Sequence, residues 1–223
     1  MHIGSQLTDL EPFRKTFLKI AELVKILRSK GHIIESLDLG GGIGISYSDS
    51  TKVIDIVEYG KLVKSLLGHL NCELEFEPGR LIVGNAGILV CSVIYLKYLE
   101  GRNFLVLDGA MNDLIRPAMY DAYHEIIPVR DNKNSGNIKI DIVGPICETG
   151  DTFARDRIFP MVNEKDLIAF RSCGAYGAVM ASEYNSRPLI PEVLVKGAQF
   201  SIIRRRPSIM SVIERDIVPD WLN

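Results

Sequence analysis

Five short stretches carry side chains able to do chemistry. Gly40-Gly41-Gly42 follows the run Ser36 to Leu39, and bare backbone at such a turn lets amide N–H groups approach an anion such as a phosphate. A tight strand exit uses glycines the same way, and for a triplet alone that role is commoner. Glu77-Pro78-Gly79-Arg80 adds a carboxylate and a guanidinium. Beside a heteroaromatic ring the carboxylate would keep a ring nitrogen protonated; taken singly, Glu77 reads as a solvated loop residue. In Cys147-Glu148-Thr149-Gly150-Asp151 the thiol is suited to act as an acid or nucleophile, against the commoner inert cysteine. Arg116-Pro117-Ala118-Met119-Tyr120 places a guanidinium and a phenol within one turn, a pair suited to a carboxylate or else an ordinary surface ion pair. Tyr176, in Gly174-Ala175-Tyr176-Gly177, offers a hydroxyl to a phosphate or simply caps the core.

These stretches must be held by defined elements. Thr8 and Glu11 have capping-box spacing, and Phe13, Phe17, Ile20, Val24 and Leu27 then recur on one helical face that Gly31 can close. Ser36 to Leu39 reads as a buried strand, Ile56, Tyr59, Val63, Leu66 and Leu70 as a second helical face, and Glu73 to Phe76 as another strand. Strand, helix and strand at this scale make one βαβ unit with parallel strands, so the glycine triplet and Glu77 to Arg80 sit at neighbouring strand ends. Beyond Gly87 β-branched runs dominate: Val90 to Tyr98, Phe104 to Leu107, Ile138 to Val143, Leu167 to Phe170, Val193 to Val195 and Phe200 to Ile203. The expectation is an α/β portion over residues 1–87 and an antiparallel β-domain over 88–223.

With 223 residues, 47% of them hydrophobic, the chain can bury a sizeable core, and its net charge of -2 excludes binding driven by attraction to nucleic acid or acidic membranes. Arg204, Arg205 and Arg206 read as a solvated edge. No apolar stretch reaches membrane-spanning length and no secretion signal opens the chain, so a cytoplasmic protein is expected. The four cysteines form no C-x-x-C pair and the four histidines no H-E-x-x-H, which leaves no expected metal or disulfide. A dinucleotide fingerprint from Gly40 would need glycine where Ile45 stands, and no Walker lysine follows.

In order along the chain, His2-Ile3-Gly4-Ser5-Gln6, Leu39-Gly40-Gly41-Gly42, Glu77-Pro78-Gly79-Arg80, Asp108-Gly109-Ala110-Met111-Asn112, Arg116-Pro117-Ala118-Met119-Tyr120, Cys147-Glu148-Thr149-Gly150-Asp151 and Gly174-Ala175-Tyr176-Gly177 resemble the motif series of the fold-type III pyridoxal-phosphate-dependent decarboxylases. The resemblance covers essentially the whole chain and is strongest to the diaminopimelate-decarboxylating branch. It implies the last strands of a (β/α)8 TIM barrel followed by an antiparallel β-barrel or sandwich, and pyridoxal 5'-phosphate as cofactor. His2 would stack on the cofactor ring and Glu77 would pair with its nitrogen. Ser5, Gly40, Gly41, Gly42, Gly79, Arg80 and Tyr176 would surround the phosphate, with Pro78 in the same turn. Cys147 would be the proton donor after carbon dioxide leaves, reaching into the neighbouring subunit's site in a homodimer with shared active sites. Arg80, Arg116 and Tyr120, together with Tyr176, would receive a substrate with a distal carboxylate, and Glu148 its distal ammonium; ornithine-type relatives usually carry Asp there. The implied reaction is meso-diaminopimelate to L-lysine and carbon dioxide.

The family's Schiff-base lysine lies upstream of the motif that here begins at His2. Lys15, Lys19, Lys25, Lys30 and Lys97 stand in other contexts, so the chain alone is expected to turn over poorly and to need an N-terminal partner or segment. A non-catalytic partner of a full-length relative, or a decarboxylase of another basic amino acid such as ornithine or arginine, are the competing readings.

Overall fold

A computed structural model describes residues 1–130 and 136–222. They form two compact units: Met1–Ile88 with Arg171–Ala175, and Leu89–Phe170 with the residues from Tyr176 onward.

In the first unit, helix α1 (Glu11–Ser29) buries Phe13, Phe17, Ala21 and Val24, while Ile20 and Leu27 flank that face. Its start differs from the capping-box expectation. A box opening at Thr8 would put Pro12 at the fourth helical position, where its missing N–H would cost the first helical hydrogen bond. Instead the helix begins at Glu11 with Pro12 in its first turn, and Asp9 Oδ1 accepts the Glu11 N–H at 3.0 Å. Gly31, with φ of 88°, takes the left-handed turn after the helix.

Strands β1 (Ser36–Asp38) and β2 (Glu73–Glu75) pair in parallel, as expected of the βαβ unit. Between them runs helix α2 (Ile56–Leu67), capped by Asp55, whose carboxylate accepts the Val57 N–H at 2.7 Å. Its buried side chains are Tyr59, Val63 and Leu67; Leu66 only flanks them, and Leu70 lies on the following 3-10 turn. The core closes where Phe13 meets the Tyr59 ring edge-on at 5.2 Å. Leu7 and Ile43 add a further parallel bridge. A short helix, α3 (Gly79–Val83), follows β2.

The second unit is built on a six-stranded sheet. Its strands are β3 (Leu89–Leu99), β4 (Arg102–Leu107), β5 (Ile126–Pro128), β6 (Asn137–Val143), β7 (Thr152–Pro160) and β8 (Leu167–Phe170), in the spatial order β5-β8-β3-β4-β6-β7. The sheet is mixed, which corrects the antiparallel expectation: β4 and β6 run parallel, Phe104 against Asp141 and Val106 against Val143. The connection between them is long and contains helix α4 (Arg116–Tyr120) and β5, ample for the crossover that a parallel pair requires. Alternating side chains of β3 (Leu89, Cys91, Val93) enter the core with Leu105, Leu107, Ile140, Ile142 and Phe159. The rings of Phe153 and Phe170 lie 4.7 Å apart.

Strands β9 (Glu192–Lys196) and β10 (Gln199–Arg204) form a separate antiparallel hairpin turning at Gly197, and a short helix α5 (Ile209–Ile213) follows. Arg204 pairs with Glu192 at 2.5 Å.

Candidate active site

Within the first unit, three backbone segments converge at the ends of β1 and β2. A methyl group on Gly40 would lie 1.9 Å from the Met1 carbonyl oxygen, on Gly41 2.2 Å from that of Glu77, and on Gly42 2.2 Å from that of Gly4. Each glycine therefore admits a different neighbour. Gly40 and Gly42 also have positive φ, 67° and 93°, which other residues rarely adopt. Hydrogen bonds join the same segments: Glu77 N–H donates to Gly40 O at 2.8 Å, Leu7 N–H to Gly42 O at 2.9 Å and Gly44 N–H to Leu7 O at 2.8 Å. Gln6 locks the turn at a distance, its amide donating to Ile45 O at 2.6 Å and accepting from Ile45 N–H at 3.2 Å. Tight packing of this turn is what gathers His2, Ser5, Gly40, Gly41, Gly42 and Glu77 to Arg80, as the strand-exit reading of the triplet expects.

Charged groups line this turn cluster. Arg80 Nη2 donates to Ser5 Oγ at 3.0 Å and Nη1 to the Tyr47 hydroxyl, with the guanidinium 5.7 Å from the Tyr47 ring centre. Among the described residues the exposed Glu77 carboxylate has no ion pair, leaving it available to a cationic ligand group. A guanidinium and a hydroxyl on one side and an unpaired carboxylate on the same turn can receive a ligand bearing both an anionic and a protonated basic group. Tyr47 stands in no sequence motif, and Gln6, though it closes the His2-Ile3-Gly4-Ser5-Gln6 stretch, has no role assigned there. Arg171–Ala175 also belongs to this unit: Cys173 N–H donates to Gly87 O at 2.8 Å, Gly174 N–H to Gly84 O at 3.0 Å, and a methyl group on Gly174 would strike the Val83 carbonyl.

The remaining candidates belong to the second unit. Cys147 and Glu148 are exposed on the loop joining β6 to β7. The Glu148 carboxylate accepts the Gly150 N–H at 3.2 Å and the Tyr184 hydroxyl at 3.3 Å. Asp151, 3% exposed, accepts Met111 N–H and Ile146 N–H, one on each carboxylate oxygen, both at 2.7 Å. Burial nevertheless raises its pKa, overriding those donors; Asp113, 3% exposed, is raised by burial in the same way. Arg116 is 8% exposed on α4, its Nη1 2.8 Å from His124 Nε2. Because guanidinium only donates, His124 accepts at Nε2 and carries its proton on Nδ1. Tyr120, at the exposed end of the same helix, is 62% exposed. Tyr176 has left-handed backbone, φ 59°, and is partly exposed. Tyr184, Asp113, Arg187 and His124 gave no sequence signal, and Asn112, though in the Asp108-Gly109-Ala110-Met111-Asn112 stretch, has no role assigned there.

Among the described residues no cluster of His, Cys, Asp or Glu could hold a metal ion, and no helix is long and apolar enough to cross a membrane.

Comparison with known proteins supplies the context. The chain is 48% identical over 222 residues to a diaminopimelate decarboxylase of Zymomonas mobilis, covering 99% of this chain and 52% of that protein. It is 50% identical over 208 residues to one of Neisseria meningitidis, covering 93% and 50%. The chain thus spans about half the length of the curated relatives it matches. In three dimensions it is similar to the Helicobacter pylori diaminopimelate decarboxylase complexed with L-lysine, with a TM-score of 0.89, 37% identity and coverage of 96% of this chain and 52% of that one. The M. jannaschii diaminopimelate decarboxylase in complex with L-lysine gives a TM-score of 0.93 at 36% identity, covering 100% and 52%. Residues 19–174 match the model for the C-terminal sheet domain of pyridoxal-dependent decarboxylases, and the chain belongs to that family.

Proposed function

We propose that this chain forms the C-terminal part of a decarboxylase that uses pyridoxal 5'-phosphate to convert meso-2,6-diaminopimelate to L-lysine and carbon dioxide. The observation that carries the reading is the turn cluster at the ends of β1 and β2, where the glycine triplet draws Ser5, Arg80 and the unpaired Glu77 together. Those residues fit the cofactor: the hydroxyl and guanidinium suit its phosphate, and the carboxylate suits a protonated pyridine nitrogen. In the same reading residues 1–87 are the last strands of a TIM barrel, supported by the parallel β1–β2 pair and the Leu7–Ile43 bridge, and residues 88–223 are the β-domain.

Bound, the cofactor supplies an electron sink for the pair left at Cα when carbon dioxide departs. Glu77 would hold the proton on the ring nitrogen, His2 would lie against the ring, and Ser5, Gly40 to Gly42, Gly79, Arg80 and Tyr176 would hold the phosphate, with Pro78 shaping the turn. Cys147 gives its thiol proton to Cα and is reprotonated from water. Arg80, Arg116, Tyr120 and Tyr176 receive substrate carboxylate, and Glu148, steadied by Tyr184, receives the distal ammonium. In the assembly proposed, two copies pair and the Cys147 loop of each serves its neighbour's cofactor. The covalent lysine comes from a segment outside residues 1–223, so this chain alone turns over poorly, in the cytoplasm as elsewhere; Lys15, Lys19, Lys25, Lys30 and Lys97 are all exposed and away from the turn cluster's hydrogen bonds.

Titrating the chain with pyridoxal phosphate, and with pyridoxal lacking the phosphate, tests the reading. Saturable binding that favours the phosphorylated form, weakened at least tenfold by Arg80→Met, is expected; equal binding of the two forms would refute it. Once the chain is supplemented with the lysine-bearing segment, diaminopimelate should release carbon dioxide faster than ornithine or arginine, and the opposite preference would remove the roles given to Arg116 and Glu148.

A further inference from the structure

Cys147 and Glu148 pose a positioning problem. Both side chains are exposed on a loop, yet proton transfer and ammonium recognition tolerate displacements of only about 0.5 Å to 1 Å. Something must hold the loop from beneath.

Asp151 sits where such a support is needed. Its backbone closes the loop on itself: Gly144 N–H donates to Asp151 O at 3.0 Å, and Asp151 N–H to Glu148 O at 3.0 Å. Its carboxylate then bridges two segments. One oxygen takes the N–H of Ile146, immediately before Cys147, and the other takes the N–H of Met111, forty positions away in sequence. A methyl group on Gly144 would lie 2.3 Å from both carboxylate oxygens, so the chain opposite is pared to backbone to admit them. Neither Met111 nor Ile146 lies in a strand or helix, and no ladder holds their amides.

The far anchor is itself fixed. Asp113 accepts the Ala110 N–H at 2.9 Å, Asn112 donates to Ser182 O at 3.0 Å, and Arg187 donates to Asn112 Oδ1 at 3.2 Å and to Asp108 O at 2.5 Å. The segment from Asp108 to Asp113 is therefore tied on several sides before Asp151 reaches it.

We propose that Asp151 is the positioning residue for the Cys147–Glu148 loop, its carboxylate clamping Ile146 to the anchored Met111 so that thiol and carboxylate project from a fixed base. The inference rests on the reading that Cys147 and Glu148 meet the substrate, but the clamp is measurable without turnover.

Site-resolved amide hydrogen exchange on the folded chain gives the first test. Met111 and Ile146 should exchange at least tenfold more slowly than the neighbouring Cys147 amide; open-loop rates at both would overturn the clamp with no variant needed. In Asp151→Asn, an isosteric change that turns one acceptor into a donor facing an N–H, at least one of the two amides should accelerate tenfold or more while β3 and β4 keep their protection. A trifluoromethyl label on Cys147, in a Cys72→Ser background, should show its fluorine resonance moving toward the denatured-chain position in the same variant. An unmoved label, or protection lost evenly across β3 and β4, would reduce Asp151 to general packing and overturn the proposal. If Cys147→Ala leaves decarboxylation intact in the supplemented enzyme while the exchange results stand, the functional reading fails and the clamp survives.

Discussion

Gly41→Ala tests whether the turn cluster depends on bare backbone. The added methyl would lie 2.2 Å from the Glu77 carbonyl oxygen and 3.1 Å from its carbon, both backbone atoms that no rotamer change can move aside. Relief to an ordinary contact requires a shift of roughly 1 Å, and the segment that must shift is tied by Glu77 N–H to Gly40 O at 2.8 Å. Overpacking of this kind costs about 1–3 kcal/mol, and loss of the hydrogen bond adds about 1 kcal/mol. A total of about 2–4 kcal/mol is a large part of the stability of a typical domain. Gly60, exposed on α2 with nothing within 4 Å of where a methyl would sit, is the control: Gly60→Ala should be neutral or stabilise by up to about 1 kcal/mol through helix propensity. Urea unfolding followed by circular dichroism measures both. Because Glu77 and Arg80 move with the displaced turn, pyridoxal phosphate affinity in Gly41→Ala should fall about 10- to 100-fold, the loss of one hydrogen bond to a charged group. Should Gly41→Ala unfold within 0.5 kcal/mol of the parent, on the order of a neutral surface change, and bind the cofactor normally, the steric argument is wrong.

Asp113 should leave a mark on the pH dependence of stability. Burial raises its folded pKa above the ordinary 3.8, so the folded chain binds more protons than the unfolded one between those values; the stabilising contribution is complete below 3.8 and is lost as pH rises through the folded pKa. Asp113→Asn should flatten that fall, as read by urea midpoints across the window, and an unchanged slope would assign the effect elsewhere. Asp141 behaves oppositely: burial pushes its pKa up, but the Asp156 N–H and the Arg102 guanidinium outweigh burial and hold it below the usual range. Its contribution is present above 3.8 and lost as pH falls through the folded pKa, and Arg102→Ala should cost about 1.5–3 kcal/mol at pH 7 and move acid unfolding to higher pH.

Much of the frame was legible because periodicity and burial coincide. The face of α1, the Tyr59 and Val63 part of the α2 face and the parallel β1–β2 pair follow from apolar spacing and from glycine at strand exits, whereas Ile56 is exposed and Leu67, not Leu66, completes the buried stripe. Where sequence and structure part, a local signal is overruled by something nonlocal. Thr8 and Glu11 have the spacing of a cap, but with Pro12 in the first turn the helix starts two residues later, capped at Leu10. The parallel β4–β6 pair has no signature in either strand, since direction is set by the intervening crossover. Strand β7 is hidden in the sequence because Arg155, Asp156 and Arg157 interrupt its apolar alternation, and Asp156 bulges with φ of 51°. At the site, motif residues announce themselves by type, whereas their supports do not. Tyr47 and Tyr184 are single aromatics in polar loops, and Asp151, though inside a motif, looks like any loop aspartate until its two amide donors are seen.

The return of Arg171–Ala175 to the first unit sets an order of events during synthesis. Gly84 O and Gly87 O wait for amide donors supplied by Gly174 and Cys173, which the ribosome adds only after the whole of β3 to β8. The amino-terminal unit therefore cannot be finished first, contrary to the usual vectorial sequence of domain folding. Any scheme that excises or transplants either unit must carry this pentapeptide with Met1–Ile88, because a cut after Ile88 yields a piece that lacks its own closing strap.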